Sequence, residues 1–218
     1  MNKRKWDAVC FDFDGTVADT SLGVKKSIIY ALDKKGIPVG DPNNLDYFLG
    51  PPLYESFSNI YGADEKSSEA LVNTYREYYN VKGKYELEFY LGMPELIKLM
   101  FEQGIPAAVV SSKPKIYLEQ ILKHFNMEKF FKTVVGPELE NKNSNKERLV
   151  REAISNMNLE NSKKILMVGD RFYDIQGAKD AGISSAAVTF GFGQTTELID
   201  SKPDYIVDDV KALSKIIL

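Results

Sequence analysis

Six short stretches of this chain are mostly apolar, and the segments between them carry apolar positions at helical spacing. Residues 8–11 (Ala-Val-Cys-Phe) come first, followed by 105–110, 132–135, 164–168, 185–189 and 205–207. Near-continuous apolar runs of this length predict buried strands. Residues 21–34 read as a helix, with Leu22, Val24, Ile28, Ile29 and Leu32 as its apolar positions, Thr20 or Ser21 as its cap and Gly36-Ile37-Pro38 as its stop. Short helical pieces follow at 45–49, 54–61 and 64–79, with no strand among them. Gly92-Met93-Pro94-Glu95 opens a helix that runs to about 103 and ends at Gly104. Further helices are expected at 114–124, 145–158, 174–181, 195–199 and 209–217.

Strands that alternate with helices predict an α/β fold: a doubly wound parallel sheet, with a small all-helical domain set into it. The expected core domain is 1–18 with 85–218, and the helical domain is 19–84. Ligands in such sheets bind beyond the carboxyl ends of the strands. That rule puts Asp14, Ser111 and Asp170 on one rim, because each follows an apolar strand.

Composition narrows the function. The chain has 218 residues, 44% hydrophobic and 27% charged, with a formal net charge of −3. An acidic balance excludes general nucleic-acid binding. The basic start is not followed by a long apolar run, so neither a signal peptide nor a membrane span is expected. The one cysteine, Cys10, has no partner for an internal disulfide and sits in a predicted strand. A cytoplasmic protein is the expectation, monomeric or weakly dimeric, with no membrane partner.

The candidate chemistry begins at Asp12-Phe13-Asp14-Gly15-Thr16, where the first strand ends. Residues two apart in a strand share a face, so the two carboxylates lie close and need a cation or a proton to coexist. Gly15 lets the backbone turn sharply and approach a ligand. After the second apolar run comes Ser111-Ser112-Lys113-Pro114, where hydroxyls either donate to a phosphoryl oxygen or cap the next helix. After the fourth comes Gly169-Asp170-Arg171-Phe172-Tyr173-Asp174, an acid at a strand end and another one helical turn on. The lone His124 reads as structural.

These pieces, in this order, resemble the four motifs of the haloacid dehalogenase-like hydrolase superfamily: D-x-D-G-T, a strand ending in Ser, a Lys heading a helix, and G-D-x-x-x-D. The resemblance implies a Rossmann-like core with a helical cap inserted after motif I. It further implies that Asp12 is the nucleophile and Asp14 the general acid/base. Mg²⁺ would be held by Asp12, Asp170 and the carbonyl of Asp14, with Asp174 behind them. Gly15, Thr16, Ser111, Ser112 and a lysine would hold the phosphoryl group. Lys146, at the head of a helical pattern, is the leading candidate for that lysine; Lys142, in an Asn-rich loop, and Lys113 are the others. Phe48-Leu49-Gly50-Pro51-Pro52-Leu53 and Gly191-Phe192-Gly193 resemble the phosphoglycolate phosphatase-like branch. Phe48, Gly50, Pro51 and Pro52 would then contact the leaving group. The implied activity is Mg-dependent hydrolysis of a small phosphorylated metabolite, phosphoglycolate phosphatase-like or 5'-nucleotidase-like. A phosphomutase similar to β-phosphoglucomutase and a non-catalytic phosphate-binding module are the alternatives.

Overall fold

A computed structural model describes residues 4–51, 53–139 and 145–218, with only the backbone described for Pro42 and Asn44. The chain divides into two compact units, 1–18 with 89–218 and 19–88.

The larger unit is built on a six-stranded sheet of order β5-β4-β1-β6-β7-β8, every neighbouring pair parallel. Its strands are β1 (Ala8–Phe11), β4 (Ala107–Val110), β5 (Thr133–Val135), β6 (Ile165–Gly169), β7 (Ser184–Val188) and β8 (Tyr205–Val207). β1, β4 and β6 are buried along their whole length, as their unbroken apolar sequences require. The helices around them are α4 (Met93–Glu102), α5 (Lys115–His124), α6 (Lys146–Asn156), α7 (Phe172–Ala181), α8 (Thr195–Asp200) and α9 (Val210–Ile217). One side of the core brings Leu149, Val150 and Ala153 of α6 and Ala178 of α7 together with Cys10, Val110 and Met167. Strand order reverses beside β1, so the ends of β1, β4 and β6 form the crevice at which such folds bind ligands.

The smaller unit is helical: α1 (Ser21–Lys34), a 3₁₀ helix at Pro42–Phe48, α2 (Leu53–Tyr61) and α3 (Glu65–Tyr79). Aromatic contacts fill it, Phe48 with Phe57 at 4.9 Å and Tyr75 stacked on Tyr79 at 5.1 Å. The chain crosses between the units twice, at β2 (Ala18–Asp19) and β3 (Glu88–Phe89), two residues each and paired with one another. These two-residue strands leave no sequence pattern.

Three expectations shift. The unit boundary falls at 88/89 rather than 84/85, because the turn at Gly83–Tyr85 is bound to α1: the Gly23 N–H donates to the Glu86 carbonyl at 3.0 Å, and Lys26 pairs with Glu86 at 2.7 Å. Neither Thr20 nor Ser21 caps α1 through its side chain; the Asp19 carboxylate accepts from the Ser21 N–H at 2.9 Å. The buried stripe of α1 is Gly23, Val24, Ser27, Ile28, Ala31 and Leu32, while Leu22 and Ile29 are exposed. Gly23 and Ser27 are small where the Gly83 backbone packs against them.

That close approach yields a prediction. Alanine is ordinarily about 1 kcal/mol better than glycine inside a helix. At position 23, however, a Cβ would stand 1.8 Å from the Gly83 carbonyl oxygen. Overpacking of this kind costs roughly 1–3 kcal/mol, and each kcal/mol moves the melting temperature by about 2–4 °C at this chain length. Gly23→Ala is therefore expected to lower the melting temperature in a thermal scan. A variant that melts at or above the parent contradicts the packing.

Candidate active site

β1 delivers its last apolar residue, Phe11, into the sheet and then Asp12 beyond it, where the Asp12 N–H still donates to the Val168 carbonyl at 2.9 Å. Phe13 points into the core and is fully buried. Asp14 begins a tight turn closed by Gly15 N–H to the Ala18 carbonyl at 2.9 Å and Val17 N–H to the Phe13 carbonyl at 2.9 Å. Gly15 is required twice over. Its φ is +78°, and a Cβ there would lie 2.2 Å from Asp170 Oδ2.

Asp170 follows β6 and is completely buried. Both of its oxygens are held: Thr16 Oγ donates to Oδ1 at 3.0 Å and the Phe192 N–H donates to Oδ2 at 2.8 Å. Thr16 and Gly15 were expected to touch phosphate. The Gly15 and Thr16 N–H groups are spent inside the turn, and the Thr16 hydroxyl is spent on Asp170. Both residues therefore support the acid: the Thr16 hydroxyl holds Asp170, and Gly15 leaves room for it.

Lys146 opens α6, whose cap is Asn145 accepting from the Arg148 N–H at 2.9 Å. Its ammonium is buried and reaches three groups: Asp174 at 2.6 Å, Asp12 at 3.1 Å and the Val110 carbonyl at 2.9 Å. Space for it is made by Gly177 of α7, where a Cβ would stand 2.8 Å from Lys146 Cγ. Asp174, in the first turn of α7, also accepts from the Arg171 N–H at 3.1 Å.

Ser111 ends β4 and is buried; its Oγ accepts from the Lys113 N–H at 3.3 Å, which leaves its own proton to donate. α5 has no side-chain cap, so the capping alternative for Ser111 and Ser112 does not apply, and Ser112 is exposed. Lys113 had been only a third choice for the phosphate lysine. Its side chain is almost wholly buried, and its Nζ lies 3.1 Å from Asp14 Oδ1. Phe48 is buried against Phe57 in the helical unit, Gly50 is exposed there and Pro51 half-buried. Lys142 and Pro52 lie outside the described residues.

Electrostatically the cluster is overloaded with anions. Carboxylate oxygens of Asp12, Asp170 and Asp174 lie within 4.8 Å of one another. Burial first, then the charges of Asp12 and Asp174, push the Asp170 carboxyl up to about 8, against the pull of its two hydrogen bonds. Burial also raises Asp174, outweighing the attraction of Lys146. Burial alone would lower Lys146, yet Asp12 and Asp174 hold it above its usual value, so it stays protonated. Among the described residues, Oδ1 of Asp12, of Asp14 and of Asp174 is buried without a well-aligned hydrogen bond and faces a lysine ammonium at ion-pair distance. Among the described residues, four carboxylates face two ammoniums, so full ionisation would leave two negative charges uncompensated. The all-oxygen donor set and that deficit fit one hard divalent cation. Sequence reasoning had not assigned the Phe192 N–H or the Lys113–Asp14 pair. The glycines either side of Phe192 were the available signal: at Gly191 a Cβ would stand 2.4 Å from Asp170 Cβ.

Comparison with known proteins identifies the family. A 5'-nucleotidase of Pseudomonas aeruginosa is 35% identical over 98% of this chain and 96% of its own length. The pyrophosphatase PpaX of Halalkalibacterium halodurans is 29% identical over 97% of this chain and 96% of its own. A crystal structure from Clostridium difficile superposes with a TM-score of 0.92 at 38% identity, covering 99% of this chain and all of that one. The family pattern described as haloacid dehalogenase-like hydrolase matches residues 9–188. Those residues run from β1 to the end of β7 and carry all four acids and both lysines of the cluster: the chain belongs to the haloacid dehalogenase-like hydrolases.

Proposed function

We propose that this phosphatase hydrolyses a small phosphate monoester through a phosphorylated Asp12, with Asp14 moving the protons. The carrying observation is that the two acids at the end of β1 have different partners. Asp12 shares the buried ammonium of Lys146 with Asp174, while Asp14 pairs with Lys113 and is the more exposed of the two. In the first step an Asp12 carboxylate oxygen forms a bond to phosphorus as the ester P–O bond breaks. A protonated Asp14 gives its proton to the departing oxygen, then takes one from the water that attacks the aspartyl-phosphate. Lys146 and the Ser111 hydroxyl face the charge on the phosphoryl oxygens. Asp174 keeps Lys146 protonated and oriented. Asp12, Asp170 and the Asp14 carbonyl would hold Mg²⁺, which when bound neutralises phosphoryl charge.

A 5'-nucleotidase related along its full length supports a nucleoside monophosphate as substrate, and phosphoglycolate is the other small ester the branch resemblance favours. A cytoplasmic enzyme acting on a metabolite fits these features. Among the described residues no helix is long and apolar enough to cross a membrane.

Four measurements test the reading. Exhaustive chelation is expected to abolish turnover, with Mg²⁺ restoring it and Ca²⁺, which takes more ligands at longer distances, restoring little. Full activity in chelator removes the metal from the mechanism. The same chelated protein carries a pH signature. Asp170 is raised from 3.8 to about 8, so between those values the unfolded chain gives up its proton first. Stability contributed by this position therefore falls as pH rises through that window. The melting temperature of the metal-free parent relative to Asp170→Asn should drop between about pH 5 and about pH 8; a gap that widens in the parent's favour contradicts the assignment.

Lys146→Ala is expected to cost roughly a hundredfold or more in rate, the scale of losing one charge-stabilising donor, and Lys142→Ala to be near neutral. Exchanged results would move the phosphate lysine to residue 142.

The roles of the two acids are separated by the covalent intermediate. Asp12→Asn has no anion to attack phosphorus and should carry no label after rapid quenching with p-nitrophenyl phosphate. Asp14→Asn keeps the nucleophile, and this leaving group needs little protonation, so phosphate should accumulate on the peptide containing residue 12. Mass spectrometry of the digests reads the site. Label on the Asp12→Asn protein, or label mapped to residue 14, overturns the assignment.

A further inference from the structure

The Lys113–Asp14 contact divides the two oxygens of the acid/base. Asp14 Oδ1 is buried and lies 3.1 Å from the Lys113 ammonium, whereas the Asp14 side chain as a whole keeps 24% of its surface exposed. The open part of the carboxyl is therefore not Oδ1. Lys113 is itself fixed from its backbone. Its N–H donates to Ser111 Oγ at 3.3 Å, and Pro114 follows it directly. The Lys115 N–H donates to the Pro137 carbonyl at 3.0 Å. The Lys113 carbonyl lies so close to Gly136 that a Cβ there would stand 2.4 Å away. A lysine side chain only 6% exposed, on a backbone pinned at both ends, is an anchored group rather than a solvated one.

We propose that Lys113 is a positioning residue for Asp14. It holds Oδ1 down so that Oδ2 alone meets the leaving group, and it keeps the carboxyl from turning toward the Asp12–Asp170 cluster. This rests on the reading of Asp14 as the general acid. In the step concerned, the bond from phosphorus to the ester oxygen breaks as the Asp12 oxygen–phosphorus bond forms. The proton on Asp14 Oδ2 passes to the departing oxygen, whose electron pair came from the broken bond. A correctly aimed acid matters most when that oxygen leaves as a strongly basic alkoxide. It matters least for p-nitrophenolate, which departs without help.

The test is a leaving-group series run with Mg²⁺-loaded enzyme: alkyl, phenyl and p-nitrophenyl phosphates, scored as kcat/KM. Lys113→Met is expected to lose at least about tenfold more on the alkyl ester than on the p-nitrophenyl ester, part of the 10²–10⁴-fold that general acid catalysis supplies. In an Asp14→Asn background, scored as single-turnover release of the leaving group, the same substitution should add no further leaving-group dependence, since the aimed acid is already gone. Activity on p-nitrophenyl phosphate certifies that the variant folds, and Lys113→Gln provides a second, less apolar replacement. An equal loss across the series, an additive effect with Asp14→Asn, or a loss confined to leaving groups bearing their own negative charge overturns the proposal. A parent enzyme that releases phosphate from none of the esters would instead overturn the phosphatase reading itself.

Discussion

Everything at the rim of this sheet answers to one electrostatic constraint: four carboxylates, two of them fully or nearly fully buried, packed into a space with two ammoniums. Isolated buried charges are unaffordable, and even paired ones are stable only with excellent geometry and every lone pair occupied. The protein meets that condition fully at Asp170 and only in part at the other three acids. Asp170 takes a hydroxyl from Thr16 and a main-chain N–H from Phe192. Asp174 takes the Arg171 N–H and the Lys146 ammonium. The same constraint suits the site to a cation, because the described side chains leave negative charge for one to relieve.

The fold brings the charges together through backbone proximity rather than long side chains. Aspartates have one methylene of reach, so their Cα atoms must be close, and strand ends of adjacent parallel strands are close by construction. β1 lies between β4 and β6, which places Asp12 and Asp14, the Ser111–Lys113 turn and Asp170 side by side. The turns then have to approach more tightly than any Cβ permits. Gly15 meets Asp170 from one side and Gly191 from the other, and neither position has space for a methyl group. The glycines are therefore part of the electrostatic design: they set how near the acids can come.

Much of this was legible in the sequence, and the failures have physical causes. Buried parallel strands announce themselves as unbroken apolar runs, so the sheet and its rim could be read directly. Asp12, Asp14 and Asp170 stood out because an acid directly after an apolar strand needs a reason. The inner face of α1 misled because apolar periodicity nominated Leu22 and Ile29, whereas backbone-to-backbone packing selected Gly23 and Ser27. Periodicity cannot see a contact whose requirement is absence of a side chain. The Thr16 contact was out of reach for a related reason: only the fold shows that its hydroxyl lies 3.0 Å from Asp170. The Lys113–Asp14 pair joins residues 99 positions apart in chain number, from loops whose approach depends on the register of β1 with β4.

On the proposed mechanism, that pair also accounts for the different duties of two chemically identical side chains, two residues apart. A nucleophile should be desolvated and fixed, and the buried Asp12, beside an ammonium locked by Asp174 and the Val110 carbonyl, is both. A proton carrier must touch a departing oxygen and then a water, so part of it has to stay open. Asp14 is twice as exposed in its side chain, 24% against 12%, and its cation comes from the opposite loop. Had both acids shared Lys146, they would have competed for one charge. Giving each its own lysine, from α6 for one and from the turn after β4 for the other, separates the two functions in a volume too small to separate them by distance.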